Sequence, residues 1–430
     1  MPAVIHSIPG LTLTDHTFAV PLDHQRPDGA QISVFAREVS APGASRHLPW
    51  LVFLQGGPGG KSPRPLGATG WIGRAVQEYR VLLLDQRGTG RSTPITAQTL
   101  SWRGDAQAQA DYLKHFRADA IVRDAEIFRK SLLGADERWS ILGQSYGGFC
   151  STTYLALAPE GLREAYITGG LPPVHLNEPD GVYRATYKRV LGKNRQYLAR
   201  YPDDADRAAA ILEHLAKKKV KLPDGSPLSP RRFQELGGIF GASDGFEHVH
   251  YLLEEAFVSG PSGLELSETF LLNALPSLTH ADHPLHAILQ EACYTQGVAS
   301  RWSALRIRAE FPELEPSPEH APLFVGEMMY PWMFEEDRGL APMREAAEIL
   351  AQYEDWPALY DIEQLRANTV PVAAAVYYDD MYVERKLSEE TAATIAGCRT
   401  WVTSEYEHNA LRAHGDVVLG RLIAMLHGEA

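Results

Sequence analysis

The chain has 430 residues, with 54 acidic side chains against 41 basic ones and a formal charge of −13. A pI near 5.7 argues against a nucleic-acid binder, which carries a basic stripe, and 44% hydrophobic residues exclude a disordered chain. No run approaches the roughly 20 apolar residues that span a bilayer, and Met1–Leu11 lacks a basic head followed by an apolar stretch, so a cytoplasmic setting is expected, with neither membrane segment nor secretory signal. The three cysteines, Cys150, Cys293 and Cys398, are widely spaced and odd in number. They read as small buried hydrophobes, not as a disulfide framework or a CxxC metal site.

In chain order, Ile32 to Val39 alternates as a strand does. Leu48 to Leu54 is a continuous apolar run that ends in glycines, the pattern of a strand buried on both faces. Tyr79 to Leu84 is another, followed by Asp85 and a Gly-rich turn. Asp111 to Leu133 is amphipathic at helical spacing. Trp139 to Leu142 runs into a Gly-x-Ser-x-Gly turn, and Ala165 to Thr168 into Gly169-Gly170. Strand, helix and strand with glycines after the strands predicts a mostly parallel α/β sheet, whose ligands bind beyond the carboxyl ends of the strands. That rhythm stops at Leu171-Pro172-Pro173. From Leu176 to about Leu340 the pattern is mainly helical, as in Ala208–Lys219 and His248–Ala256. Strands return at Val370–Tyr378 and Thr400–Thr403, with helices over Glu389–Gly397 and Asp416–Leu426. The expected organisation is a core of residues 1–175 and 341–430 with a helical cap, 176–340, inserted into it.

Gly143-Gln144-Ser145-Tyr146-Gly147 directly follows an apolar strand. A serine between such glycines sits on a tight strand-to-helix turn that lifts its hydroxyl clear of the sheet. Gln55-Gly56-Gly57-Pro58-Gly59-Gly60 follows another buried strand. Acyl transfer needs N–H donors aimed at the oxygen that becomes negative; Gly57 and Tyr146, the residue after the serine, are the expected pair. A phosphate loop is disfavoured: Gly60-Lys61-Ser62 follows, but Gln55 stands where GxxxxGK[ST] requires its first glycine, and Gly56-Gly57-Pro58 does not fit GxGxxG.

A serine hydroxyl needs a base, and the base needs an orienting acid. In this architecture the chain order is Ser, then Asp or Glu, then His. Of the 16 histidines, His408, His414 and His427 follow the last two strands. His408 is preferred, a few residues past Thr400–Thr403; His414 is second, and His427 falls in the final helix. Asp379 and Asp380 both follow the strand ending at Tyr378, and Asp380 is preferred because it lies clear of the strand.

Together these segments resemble the α/β-hydrolase superfamily and, more narrowly, the proline iminopeptidase (prolyl aminopeptidase) family in its longer subgroup. Gln55–Gly60 is similar to the family's HGGPGG loop, with Gln55 where many members carry histidine. Asp85–Ser92 resembles its DQRGxGxS segment, in which Asp85 and Arg87 read as braces. Gly143–Gly148 resembles its GxSxGG elbow, and Asp380–Val383 and Glu407–Asn409 its acid and histidine segments. The resemblance implies release of an N-terminal proline from a peptide, without metal or organic cofactor. A free N-terminus is a cation whose burial needs a carboxylate partner. Glu291, in Leu289–Tyr294, and Glu327, in Gly326–Phe334, stand in apolar and aromatic surroundings and are the candidates; Glu247, Glu254 and Glu255 are reserves. The first segment resembles the cap segment that carries an amine-binding glutamate in the family.

His280, His283 and His286, and His248 with His250, carry no HExxH pattern and read as structural or solvated rather than as metal ligands. Two rivals remain at this level: an esterase, amidase or different aminopeptidase on the same core, and a non-catalytic binding module. The sequence leaves the oligomeric state open. Residues 234–340 hold 4 basic and 17 acidic side chains, 4 − 17 = −13, so the acid excess is confined to the second part of the expected cap.

Overall fold

The computed structural model describes residues 4–261, 263–316 and 322–429. Seven strands come first: β1 (Val4–Ile8), β2 (Leu11–Pro21), β3 (Gln31–Ser40), β4 (Trp50–Leu54), β5 (Arg80–Asp85), β6 (Trp139–Gln144) and β7 (Leu162–Thr168). Two short hairpins follow, β8 (Val220–Lys221) with β9 (Pro227–Leu228), and β10 (Phe257–Gly260) with β11 (Gly263–Leu266). The chain then returns through β12 (Val372–Tyr377) and β13 (Cys398–Thr403).

Nine of these strands form one sheet in the order β1-β2-β3-β5-β4-β6-β7-β12-β13. Pairing is antiparallel from β1 to β5 through β3 and parallel from β5 onward. Both faces are covered, which is why β4 and β12 are apolar and buried throughout. The period of two along β4 divides its side chains. Val52 and Leu54 pack with Phe149 and Leu155 of the helix Tyr146–Leu157 and with Ile121 of Ala118–Leu132. Leu51 and Phe53 pack with Trp71 and with Leu419 and Leu422 of the helix Gly415–His427. From β4 the chain crosses to β5 on one side, and β6 lies on the other. The carboxyl ends of β4 and β6 therefore flank a switch point, the usual place for a ligand in such a sheet.

Between β7 and β12 the chain is mainly helical, led by Asp180–Arg200 and Asp204–Lys217. The buried cluster that holds this insertion also takes in Ile95 to Phe116 and Leu340 to Trp356, so segments on both sides contribute to its core. Two local features differ from the sequence reading. The stretch Asp111 to Leu133 is two helices separated at Arg117, whose backbone is extended and whose buried guanidinium donates to Thr295 O in the insertion at 3.0 Å. The antiparallel edge β1–β2 has no counterpart in that reading, because β2 is half-exposed and its alternation is mixed.

Candidate active site

Ser145 stands between the end of β6 and the helix Tyr146–Leu157 with φ 55° and ψ −124°, a conformation side-chain-bearing residues rarely adopt. Its backbone is pinned from both sides: its N–H donates to Thr168 O on β7 (3.0 Å), and its carbonyl accepts from Gly148 (2.7 Å). The turn closes because Gly147 has no side chain; a Cβ there would lie 1.8 Å from Leu54 O.

His408 sits past β13, with its N–H donating to Gly241 O of the insertion (3.1 Å). Its Nδ1–H donates to Asp380 Oδ2 at 2.7 Å, which leaves Nε2 to accept the Ser145 hydroxyl at 2.9 Å. The second oxygen of Asp380 accepts the N–H groups of Tyr382 (2.9 Å) and Val383 (3.0 Å), so the carboxylate cannot swing away. Burial alone lowers the His408 pKa, but the charge and hydrogen bond of Asp380 outweigh it and hold the imidazole above its ordinary value. Asp379 faces the other way, 44% exposed and 3.3 Å from Arg189. His414 begins the last helix, and His427, at its end, approaches Glu164. Neither shares the hydrogen-bonded row.

Gly57 lies in the loop after β4 with φ +132°, where a Cβ would come within 2.9 Å of the N–H nitrogens of Gly59 and Gly60. The Tyr146 N–H opens its helix and so has no partner within it. Asp85 and Arg87 brace this face of the molecule. Asp85 accepts Ser62 N–H (3.1 Å), Arg91 N–H (2.9 Å) and Arg64 Nη1 (2.9 Å). Arg87 is paired with Asp124 and also donates to the carbonyls of Pro21, Leu22 and His115. Where Gln55 stands, the loop is held through its backbone, by Gln86 Nε2 to Gln55 O at 3.1 Å.

A cavity of about 560 Å3 opens over His408, and Gln55, Gln144, Tyr382 and Glu327 share its wall. Glu327 keeps 30% of its side chain accessible, on that cavity. Gln290 Nε2 donates to its Oε2 at 3.3 Å, and His286 Nε2 lies 3.4 Å from its Oε1. Burial pushes the carboxyl up to about 7, against the pull of His408. Glu291 is placed differently. Its oxygens accept the N–H groups of Ser303 (3.1 Å) and Ala304 (2.8 Å) at the start of the helix Ser303–Arg308, and it is buried away from the cavity wall. Burial raises its pKa, and these N–H groups oppose the shift. The reserves Glu247 and Glu254 make surface pairs with Arg200 and His250. His280 and His286 stack, with His283 tilted against both, and no metal-holding cluster occurs among the described residues.

Tyr382 was not singled out by sequence, although it lies two residues past Asp380. Its ring meets that of His408 edge-on at 4.8 Å, and its hydroxyl donates to Gly238 O at 2.6 Å and accepts from Gly241 N–H at 3.1 Å. Tyr183 is buried, its hydroxyl has no hydrogen-bond partner among the described residues, and burial together with the charges of Glu291 and Glu327 pushes its pKa up. No local motif marks it; only the packing of the insertion reveals it.

Residues 49–231 match the family model for the alpha/beta hydrolase fold. A proline iminopeptidase of Aeromonas sobria is 49% identical over 418 residues, covering 97% of this chain and 97% of that protein. The chain belongs to the proline iminopeptidase family. A second family member, from Aspergillus aculeatus, is 36% identical over 98% of this chain and 95% of its own length. One from Neisseria meningitidis matches only 31% of the chain and 38% of its own, at 31% identity. The family resemblance of the motifs therefore extends over the whole chain in the first two relatives, insertion included, and the chain has the α/β-hydrolase fold. No helix among the described residues is long and apolar enough to cross a membrane.

Proposed function

We propose that the protein is a serine exopeptidase that releases N-terminal proline from peptides through an acyl-enzyme, with residues 1–175 and 341–430 as catalytic core and 176–340 as cap. The observation that carries this reading is one cavity shared by His408, bonded to Ser145, and a carboxylate, Glu327, suited to a cationic N-terminus. Ser145 Oγ attacks the carbonyl carbon of the first residue as its proton passes to His408 Nε2. Asp380 keeps the ring in the tautomer that can accept it and stabilises the imidazolium. The N–H groups of Gly57 and Tyr146 receive the oxyanion. The C–N bond then breaks as His408 protonates the departing amine, and a water activated by the same nitrogen releases free proline and restores Ser145.

Glu327 binds the substrate's ammonium directly. Glu291, buried away from the cavity wall, adds negative potential while it anchors its helix. Tyr146, the residue after the nucleophile, packs on Phe149 at 6.1 Å, and Phe149 on Tyr294 at 5.5 Å, an apolar aromatic cluster beside the nucleophile turn that suits the pyrrolidine ring. The setting is cytoplasmic in this reading, and all three cysteines are free. The test is turnover of a proline arylamide together with fluorophosphonate labelling. Wild type turns over and is labelled, and Ser145→Ala does neither while remaining folded. Turnover retained in Ser145→Ala contradicts the mechanism.

A further inference from the structure

Two basic side chains of the insertion reach out of it onto the loops that carry the acid and the base. Arg189 and Lys193 are four residues apart on the helix Asp180–Arg200 and so lie on one face. Arg189 donates through Nε and Nη2 to Glu384 Oε1, at 3.1 and 2.6 Å, and its Nη1 is 3.3 Å from Asp379 Oδ1. These two acids bracket Asp380: Asp379 precedes it, and Glu384 ends the loop by capping the helix Arg385–Thr394 through the N–H groups of Lys386 and Leu387. One turn further along, Lys193 Nζ lies 2.5 Å from Oε1 of Glu407, the residue before His408. The lysine side chain is 2% exposed. Glu407 Oε2 is buried and, among the described residues, has no hydrogen-bond partner.

Glu407 keeps 30% of its side chain accessible, so the pair is half-buried; such a pair adds little net stability, yet removal of one partner leaves the other's buried charge uncompensated and is costly. The use of such a pair lies in fixing geometry. We propose that Arg189 and Lys193 are positioning residues: through them one cap helix holds the Asp380 loop and the His408 loop in register, with the Lys193–Glu407 pair setting where His408 stands. The inference rests on the assignment of Ser145, Asp380 and His408 above. It gives the cap a part in the chemical step in addition to substrate selection.

The pair also predicts a pH signature. The groups that face Glu407 are Lys193 from the cap helix, Asp379, Asp380 and Tyr382 from the acid loop, and His408 beside it. Burial raises the Glu407 pKa, and Lys193 opposes the rise. Without the lysine the carboxyl is neutral at low pH and harmless. As pH rises it ionises unpaired next to Asp380 and drags its loop toward water.

The experiment measures kcat and KM for a proline arylamide across the acid-to-alkaline range in wild type, Ser145→Ala, Lys193→Met, Glu407→Gln and the Lys193→Met/Glu407→Gln double variant. Small misplacements of a catalytic group cost up to about 100-fold, so Lys193→Met is expected to lose roughly 10- to 100-fold in kcat with KM little changed. The deficit widens as pH rises. The double variant, which has no charge to strand, recovers most of the loss and shows no widening, a non-additive cycle. Wild-type kcat in Lys193→Met, a loss confined to KM, or a deficit equal in the single and double variants at every pH overturns the proposal. Should Lys193→Met not fold, Glu407→Gln and the double variant decide: the second substitution must raise kcat, and equal or lower kcat refutes the clamp. Turnover surviving in Ser145→Ala removes the triad assignment and the clamp with it, whereas an inactive Ser145→Ala beside a fully active Lys193→Met removes the clamp alone.

Discussion

At the scale of single residues, the site separates two acids by what surrounds them. Asp380 accepts the N–H groups of Tyr382 and Val383 on one oxygen and the His408 Nδ1–H on the other, so it holds the loop and the imidazole together. Glu327 lies in a cavity wall with weaker donors, and burial pushes it up to about 7. In the proposed role its carboxylate is the form that binds an amine, so the free enzyme is expected to gain affinity as pH rises through that value. His408, also held above its ordinary pKa, must be neutral to act as base. The acid limb of kcat/KM for a proline arylamide therefore reflects two ionisations and approaches a slope of two. In Glu327→Gln the slope falls to one, and kcat/KM drops by about 100-fold because the ammonium loses its partner. An acid limb that keeps its slope in Glu327→Gln contradicts the assigned role. Glu291→Gln is expected to act differently: its oxygens hold two helix N–H groups, one of which loses its acceptor when an amide replaces the carboxylate. The expected result is a stability loss of about 1–3 kcal/mol, read as a shift in urea midpoint.

At the scale of elements, the loops after β4, β5 and β6 were legible in the sequence because each carries glycines that the backbone requires. Gly147 approaches Leu54 O, and Gly57 has a positive φ; both leave a local trace. The acid and histidine loops were legible through chain order and their place after β12 and β13. The contacts between elements left no such trace. Arg117 interrupts the amphipathic stretch through a bond to Thr295, 178 residues away, and Tyr382 supports His408 by reaching Gly238 and Gly241 in the insertion. These depend on tertiary proximity, which periodicity does not encode. The brace after β5 makes its own prediction. Arg87 and Asp124 have side chains 0% and 1% exposed, so Asp124→Ala strands a buried guanidinium and should cost about 3–5 kcal/mol of unfolding free energy. A loss well below 1 kcal/mol would show that the pair does not hold the Gly-rich turn.

At the scale of the whole molecule, loops at the carboxyl ends of an α/β-hydrolase sheet carry Ser145, Asp380 and His408, and the segment between β7 and β12 contributes Glu327 to the same cavity. Residues 234–340 carry the full −13 of the protein. Such a field favours approach of cationic N-termini, and kcat/KM for a proline peptide with a following lysine should fall with added salt more steeply, by roughly twofold, than for one with a following alanine. In the proposed function a serine triad and an amine-binding carboxylate act in one cavity. Its most direct test compares proline arylamide with its N-acetylated form under identical conditions. The account predicts cleavage of the free form and at least about 100-fold lower kcat/KM for the blocked one. Equal cleavage of the two would contradict it, and would make the protein a general amidase on the same core.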